Sequence, residues 1–478
     1  MSDLIAQLAA ITGPKYCLSG DDDRAKYDND MTREYKGRSL AVVRPANTAE
    51  VSAIMKLANA TRTPVVPLSG NTGLAGGGYP GDGGDTIILS TDRMDKIIDI
   101  NVTSRIAKVE AGVILANLHA ACDQHDLVFP LMFGARGSCR IGGNLSTNAG
   151  GSNVVRYGNT RALCLGLEVV MPNGDIVNLM SELRKDNTGY DLKDLFVGAE
   201  GTLGIITAAV MKLFPKPKAY ATAMVSVPSI KVALEVLNRL QSALGGGVEA
   251  FEYMPKNYFR IFQELQPDAP KPFASPAEIG ILVEIAAVAD RDAVMDENGA
   301  IPVQTLLEET LGDLIESSDV LDATVAQSEA QRKEMWRQRE SAFEVLNAYG
   351  VPITPDIAVP LDKVGAFLKL AGERLKVIAP KSELAEIAHL GDGNIHYSLW
   401  VDPKNPAPAD KAMKTAIYTM IEDVVQELGG SFSAEHGIGI SKLGSMERRK
   451  DKAALAVMRA IKAALDPNGI MNPGKLLP

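Results

Sequence analysis

Apolar and polar positions along the chain follow two rhythms that exchange repeatedly from Leu40 onward. LAVVRP (40–45) and PVVPLS (64–69) are short apolar runs edged by proline and read as strands; AEVSAIMKLANAT (49–61) between them has helical spacing after a polar cap. This is a βαβ-type unit. TIILS (86–90) and RIAKVEAG (105–112) continue the strands, ILANLHAACDQHD (114–126) is a helix, and a Gly- and Asn-rich tract from Gly134 to Gly151 precedes the β-rich LCLGLEVVMPNGDIV (163–177). Residues 1–215 read as one α+β domain, and FPKPK (214–218) as a linker.

Beyond it, AMVSVPS (223–229), VEAFEYM (248–254) and ILVEIAA (281–287) read as strands separated by helices, which predicts a second α+β domain over 216–425 with an antiparallel sheet covered on one face. QPDAPKPFASP (266–276) and DPKNPAPAD (402–410) have the composition of exposed loops. After about 425, two helices and the tail DPNGIMNPGKLLP are too little for an independent domain, so residues 426–478 are expected to pack back on the first.

Composition narrows the classes. Hydrophobic residues make up 46% and charged ones 23% of 478 residues, average for a globular chain. The net charge of -10 disfavours nucleic acid, which needs a basic footprint. The start, MSDLIAQLAAITGPKY, has the pattern of an amphipathic helix without the basic flank or long apolar region of a secretory signal, and no apolar run is long enough to span a membrane. Four widely spaced cysteines, 17, 122, 139 and 164, form no CxxC pair and suit reduced thiols in the cytoplasm.

Gly76, Gly78 and Gly81 match GxGxxG literally, but Pro80 inside the match and GDGGD after it deny the motif the helix it must open. Gly469 to Lys475 has P-loop spacing and ends in Leu476 with no helix to follow. PLSGNTGLAGGG (67–78) is different: it follows a strand directly, its glycines let successive N–H groups face one anion, and Ser69, Asn71 and Thr72 add donors. GARGSCRIGGNLSTNAGGSN, from Gly134, repeats that mixture. Two such tracts in one domain favour a large nucleotide ligand over a pair of turns.

These tracts, with KDNTGYDLKDLFVGAEGTLGIITAAVMKLFPKP (185–217) and DPNGIMNPGK (466–475), resemble the FAD-linked oxidoreductases of the vanillyl-alcohol oxidase fold, within it the D-lactate and D-2-hydroxyglutarate dehydrogenase group. The resemblance implies a two-part FAD domain of non-Rossmann type, with Pro67, Leu68, Ser69, Gly70, Asn71, Thr72, Gly73 and Leu74 on the pyrophosphate. It implies Gly137, Ser138, Gly142, Gly143, Asn144, Thr147, Asn148, Gly150 and Gly151 along the flavin and ribityl chain, Gly201, Gly204 and Ile206 at the adenine end, and Asn472 at the isoalloxazine. No histidine lies between Pro64 and Gly78, so dissociable FAD is expected.

Three of the five histidines fall in HLGDGNIH (389–396) and AEHGIG (434–439), while His119 and His125 read as ordinary helix residues. GDGN is turn chemistry. A four-residue hairpin loop would set Leu390 opposite Ile395 and His389 opposite His396, on one face and close enough to share a metal. Glu435 is the natural third ligand for Zn²⁺, Mn²⁺ or Fe²⁺, with Zn²⁺ or Mn²⁺ preferred, and Gly437 and Gly439 allow the bend that aims Glu435 and His436 together. The resemblance implies the same ligands, His389, His396 and Glu435, with His436 as catalytic base and Arg339 gripping the substrate carboxylate; without it, Arg339 would read as a surface residue beside Arg332, Lys333 and Arg337.

The implied activity is oxidation of a D-2-hydroxy acid, electrons passing on to an acceptor such as electron-transferring flavoprotein or quinone, in a chain that could be a homodimer. Against the hydroxyglutarate pattern, Thr354 stands where a lysine is expected, Ser398 where asparagine is, and Phe343 where threonine is. Those departures favour a monocarboxylate such as D-lactate. Two rival readings are a metal-dependent hydrolase and a non-catalytic flavin-binding subunit of an electron-transfer assembly.

Overall fold

The computed structural model describes every residue except Met1, Asn298, Ser318, Pro406 and Ala407, so part of the 402–410 loop lies outside the described residues. The chain divides into two compact units: residues 1–150, 158–215 and 435–478 form the first, 151–157 and 216–434 the second. No helix among the described residues is long and apolar enough to cross a membrane. All four cysteines are buried and free.

In the first unit, a four-stranded sheet runs in the order Cys17–Leu18, Ala41–Val43, Ile87–Ser90, Val65–Leu68, the last three parallel. The helix Thr48–Thr61 crosses between parallel strands as the pattern requires. Asn47 caps it by accepting the Glu50 N–H, and the Glu50 carboxylate reaches back to the Ala46 N–H. Its Val51, Ile54, Met55 and Ala58 bury against Ala41, Val43, Val65 and Ile87. A five-stranded antiparallel sheet, Ile97–Asn101, Ile106–Glu110, Ile205–Lys212, Cys164–Val170, Ile176–Leu179, completes the unit. Ile470 and Met471 join the core of the first sheet, where the Val65 N–H donates to Ile470 O at 2.8 Å and the Asn472 N–H to Val65 O at 2.8 Å.

The second unit is built on a seven-stranded antiparallel sheet in the order Asp322–Val325, Ala219–Val227, Ile279–Ala287, Val248–Pro255, Ile387–His389, Asn394–His396, Asp356–Ala358. Helices cover both of its faces, not one. Phe251, Tyr253, Ile281, Val283 and Ile285 pack on one side with Ile230–Leu244, Pro302–Glu316, Val364–Ile378 and Lys411–Glu427; Met224, Met254 and Leu282 pack on the other with Lys256–Leu265, Glu329–Glu340 and Ala342–Leu346. The sequence misleads here because Glu249, Glu252 and Glu284 mimic outward polar positions, yet all three are buried and paired.

The units part at 215/216, but a short segment leaves the first unit and the return to it begins later than 426. Gly151–Tyr157 leaves the first domain because Asn153, Arg156 and Tyr157 all bind the Glu249 carboxylate, at 2.9, 2.5 and 2.8 Å. The return to the first unit begins at Glu435, not near 426, because the Ser431 N–H donates to Ala358 O at 2.7 Å and the Ala434 N–H to Asp356 O at 3.3 Å.

One buried acid lies on the sheet face opposite Glu252. Glu386 accepts a 3.3 Å hydrogen bond from Tyr253 Oη, while its Oε2 is closed off from solvent with no partner among the described residues, and burial pushes its pKa from 4.5 up to about 7. A carboxyl whose folded pKa exceeds its unfolded value binds more protons in the folded state. It therefore costs stability as pH rises from 4.5 towards 7, with the full cost present above that window. Glu386→Gln is expected to raise stability at pH 8 by on the order of 1–2 kcal/mol, discounted for the partial exposure of the residue, and to change little at pH 4.5; denaturant melts at the two pH values check this.

Candidate functional site

The 67–74 loop begins where strand Val65–Leu68 ends. Gly70 at φ +88° and Asn71 at φ +52° turn the backbone through the left-handed region. The second tract backs directly onto it: a Cβ on Gly143 would lie 2.5 Å from Ser69 O, and one on Gly70 would lie 2.9 Å from Ser138 O. Gly142 and Gly143 open the helix Ile141–Thr147, and the Gly142 N–H donates to Ala111 O at 2.7 Å. By contrast Gly73, Gly134 and Gly137 face open space, with nothing within 4 Å of an added Cβ. Close backbone packing behind and room in front suit a large ligand laid along both loops.

In this loop the Ser69 hydroxyl donates to Ala111 O at 3.2 Å and Asn71 Nδ2 to Asn29 O at 2.8 Å, so both side chains brace the backbone. Residues 76–84 form no helix, as the Pro80 argument requires. Elsewhere in the unit, Asn144 is buried and donates to Cys139 Sγ at 3.7 Å, the Thr147 hydroxyl donates to Gly143 O at 3.0 Å, and Asn148 Oδ1 accepts the Arg161 N–H at 2.9 Å. Gly201 packs on Pro67, Gly204 on Val169, and Ile206 is buried. Asn472 sits at φ +41° and donates from Nδ2 to Gly77 O and Glu200 O at 3.1 and 2.7 Å, while its Oδ1 is buried with no partner among the described residues. A buried acceptor left over beside two glycine tracts fits the polar edge of a flavin.

In the second unit the His389–His396 hairpin forms with a register shifted by two. His389 pairs with Asn394 and Ile387 with His396, so the two imidazoles are diagonal, not opposite. An even shift keeps both on one face, and the rings still meet edge to face with centroids 5.3 Å apart. The Asn394 side chain explains the register: Nδ2 donates to Asp356 Oδ1 and Ile357 O at 2.9 and 3.0 Å, which pins Asn394–His396 to the strand Asp356–Ala358.

Each histidine turns Nδ1 towards a buried carboxylate, His389 to Glu252 Oε1 at 2.8 Å and His396 to Asp356 Oδ1 at 3.6 Å. Glu252 also meets Arg339 Nη2 at 2.6 Å, although that contact lacks hydrogen-bond alignment, and Arg339 Nε has no partner among the described residues. Arg339 is buried at 7% exposure, which excludes the surface reading. Burial alone would raise the Glu252 pKa, but His389 and Arg339 outweigh it and hold the carboxylate below its ordinary range.

From Ala434, bonded to Asp356 O, the chain runs straight into Glu435 and His436. Asp356 and His396 belong to the second unit, whereas Glu435 and His436 open the last segment of the first. Asp356 was missed in the sequence, where it is visible only as the start of DIAVP. His119 and His125 take no part: His119 is half-buried on the helix Leu115–Asp123, with its pKa lowered by burial, and His125 is exposed.

Comparison with known proteins agrees with this division. Residues 39–180 match the FAD binding domain family, and residues 216–476 match the C-terminal domain of FAD linked oxidases. The D-2-hydroxyglutarate dehydrogenase of Xanthomonas citri pv. viticola is 35% identical over 95% of this chain and 92% of its own length. The mitochondrial D-2-hydroxyglutarate dehydrogenase of Danio rerio is 37% identical over 96% and 82%, and the D-2-hydroxyglutarate dehydrogenase of Stutzerimonas stutzeri 34% over 99% and 98%. Among solved structures, p-cresol methylhydroxylase with substrate bound superposes with a TM-score of 0.72 at 16% identity, covering 99% of this chain and 96% of that one. At that identity the likeness speaks for the fold alone. Matched in both its halves and along nearly its whole length, the chain belongs to the FAD-linked oxidases, as an FAD-dependent oxidoreductase of the vanillyl-alcohol oxidase fold.

Proposed function

We propose that the chain oxidises a D-2-hydroxy acid to the 2-oxo acid, with FAD on the 67–78 and 134–151 tracts and a divalent metal, Zn²⁺ or Mn²⁺, on His389, His396 and Glu435. The observation that carries this reading is the pair of edge-to-face imidazoles, each with Nδ1 towards a buried carboxylate, beside a buried arginine. The Glu252 contact fixes the His389 ring plane, and a fixed ring plane is the support that a metal-bound histidine needs. When bound, the flavin accepts a hydride and the metal acts as a Lewis acid on a chelated hydroxyl.

This chain's own residues supply the remainder. Arg339 offers its unused Nε–H edge to the substrate carboxylate, and Glu252 keeps that guanidinium in place. His436 takes the hydroxyl proton as the C2 hydrogen leaves with its electron pair, so two electrons and two hydrogens leave the substrate together. Electrons then pass to an acceptor such as electron-transferring flavoprotein or quinone. The relatives' names favour D-2-hydroxyglutarate. Thr354 and Phe343, both exposed, and the buried Ser398 provide no cation for a second carboxylate and favour D-lactate.

Anaerobic mixing of the yellow protein with a panel of D- and L-2-hydroxy acids tests the reading. Bleaching by D-lactate or D-2-hydroxyglutarate, and not by the L acids, is the expected result. Protein that takes up no FAD, or flavin bleached only by L acids, overturns it.

A further inference from the structure

Glu200 is held in a backbone conformation that a glutamate seldom adopts, φ +51°, followed by Gly201 at φ +70°. The peptide is fixed on both sides: the Glu200 N–H donates to Ser146 O at 2.8 Å, and Glu200 O accepts from Asn472 Nδ2 at 2.7 Å. A Cβ on Gly201 would come 2.9 Å from Pro67 Cγ, so this turn is pressed against the start of the 67–74 loop. Left-handed φ at a non-glycine residue is unfavourable and persists where surrounding structure demands it.

What the conformation achieves is the aim of the side chain. Oε1 accepts the Ile438 N–H and Oε2 the Gly439 N–H, each at 2.7 Å. The carboxylate is deeply buried. Burial pushes its pKa up, while the two backbone N–H groups, Lys442 and Lys475 pull it down. Two N–H donors received by two oxygens fix the rotation of the donating backbone as well as its distance. That backbone needs fixing, since Gly437 and Gly439 both have positive φ, at +75° and +50°, and two glycines would otherwise leave Glu435 and His436 on a freely turning segment.

We propose that Glu200 is a positioning residue that sets the aim of Glu435 and His436 by clamping the 437–439 backbone, tying the metal-binding loop to the same turn that backs the flavin loop. The inference rests on the reading of Glu435 as a ligand and His436 as the base. Glu200 acts through the loop, at Ile438 and Gly439.

Two variants test it. Glu200→Gln replaces one accepting oxygen with an amide NH₂, while Glu200→Gly removes both and suits the positive φ, so the turn itself is retained. Zn²⁺ is titrated into the FAD-loaded, metal-stripped chain, and visible absorbance reports flavin content. Both variants should stay yellow while the Zn²⁺ Kd rises about 10–100-fold, more for Glu200→Gly, since lost support of a ligand has effects of that size. Parental Zn²⁺ affinity and parental kcat in both variants overturn the inference. So does loss of flavin from both, which would make Glu200 a general scaffold residue. If the parent chain itself takes up FAD but no metal, the reading of the metal site fails, and the inference with it.

Discussion

Replacing His436 by alanine is expected to leave the protein yellow and metal-loaded while turnover falls about 10²–10⁴-fold, the usual contribution of a positioned general base. Replacing His396 is expected to act differently: metal content and activity fall together, and excess Zn²⁺ or Mn²⁺ partly restores both. Metal analysis beside steady-state kinetics separates the two. Added metal cannot replace a missing base, whereas high pH can help by supplying hydroxide. The contrast is pointed because His436 directly follows Glu435 in the chain. Should His436→Ala lose its metal while Glu435→Gln keeps it and only slows, the two adjacent roles are exchanged.

Glu252→Gln is expected to have the largest effect on stability, about 3–5 kcal/mol, because it leaves the buried Arg339 without its counter-charge. The shape of the side chain is preserved, so the loss reports charge and not volume. Glu252→Gln combined with Arg339→Met should recover much of it, since removing both members of a buried pair is far milder than removing one. Urea melts of the two singles and the double form the cycle; losses that simply add would show that the pair is not coupled. Because Glu252 also anchors His389 Nδ1, the single variant should bind metal about 10–100-fold more weakly.

The parts legible in the sequence were those carried by local chemistry. Glycine tracts, scarce histidines in short motifs and the capped helix Thr48–Thr61 each announce themselves within a few residues. What escaped depends on partners distant in sequence. The hairpin was foreseen with the correct loop chemistry, but its register was decided by the grip of Asn394 on Asp356 and Ile357. The burial of Glu249, Glu252 and Glu284 depends on Arg156, Arg339 and Arg332, which nothing nearby in the chain reveals. Asp356 sat inside a motif already inspected, yet only its pairing with His396 across two strands marks it as part of the site. Glu200 lay within a stretch singled out for flavin binding, and its grip on Ile438 and Gly439 comes from the other end of the chain.

The exchange of hydrogen bonds between Val65 and the Ile470–Asn472 segment has a consequence for the order of assembly. The strand leading into the 67–74 loop is synthesised well before its neighbour, the Ile470–Asn472 segment far along the chain. Until then the strand has an open edge, Met471 is missing from the core beneath it, and Asn472 cannot reach Gly77. A nascent chain thus makes all the strands of the second unit before Val65 gains this partner, and an unpaired strand edge is open to wrong pairing in the interval.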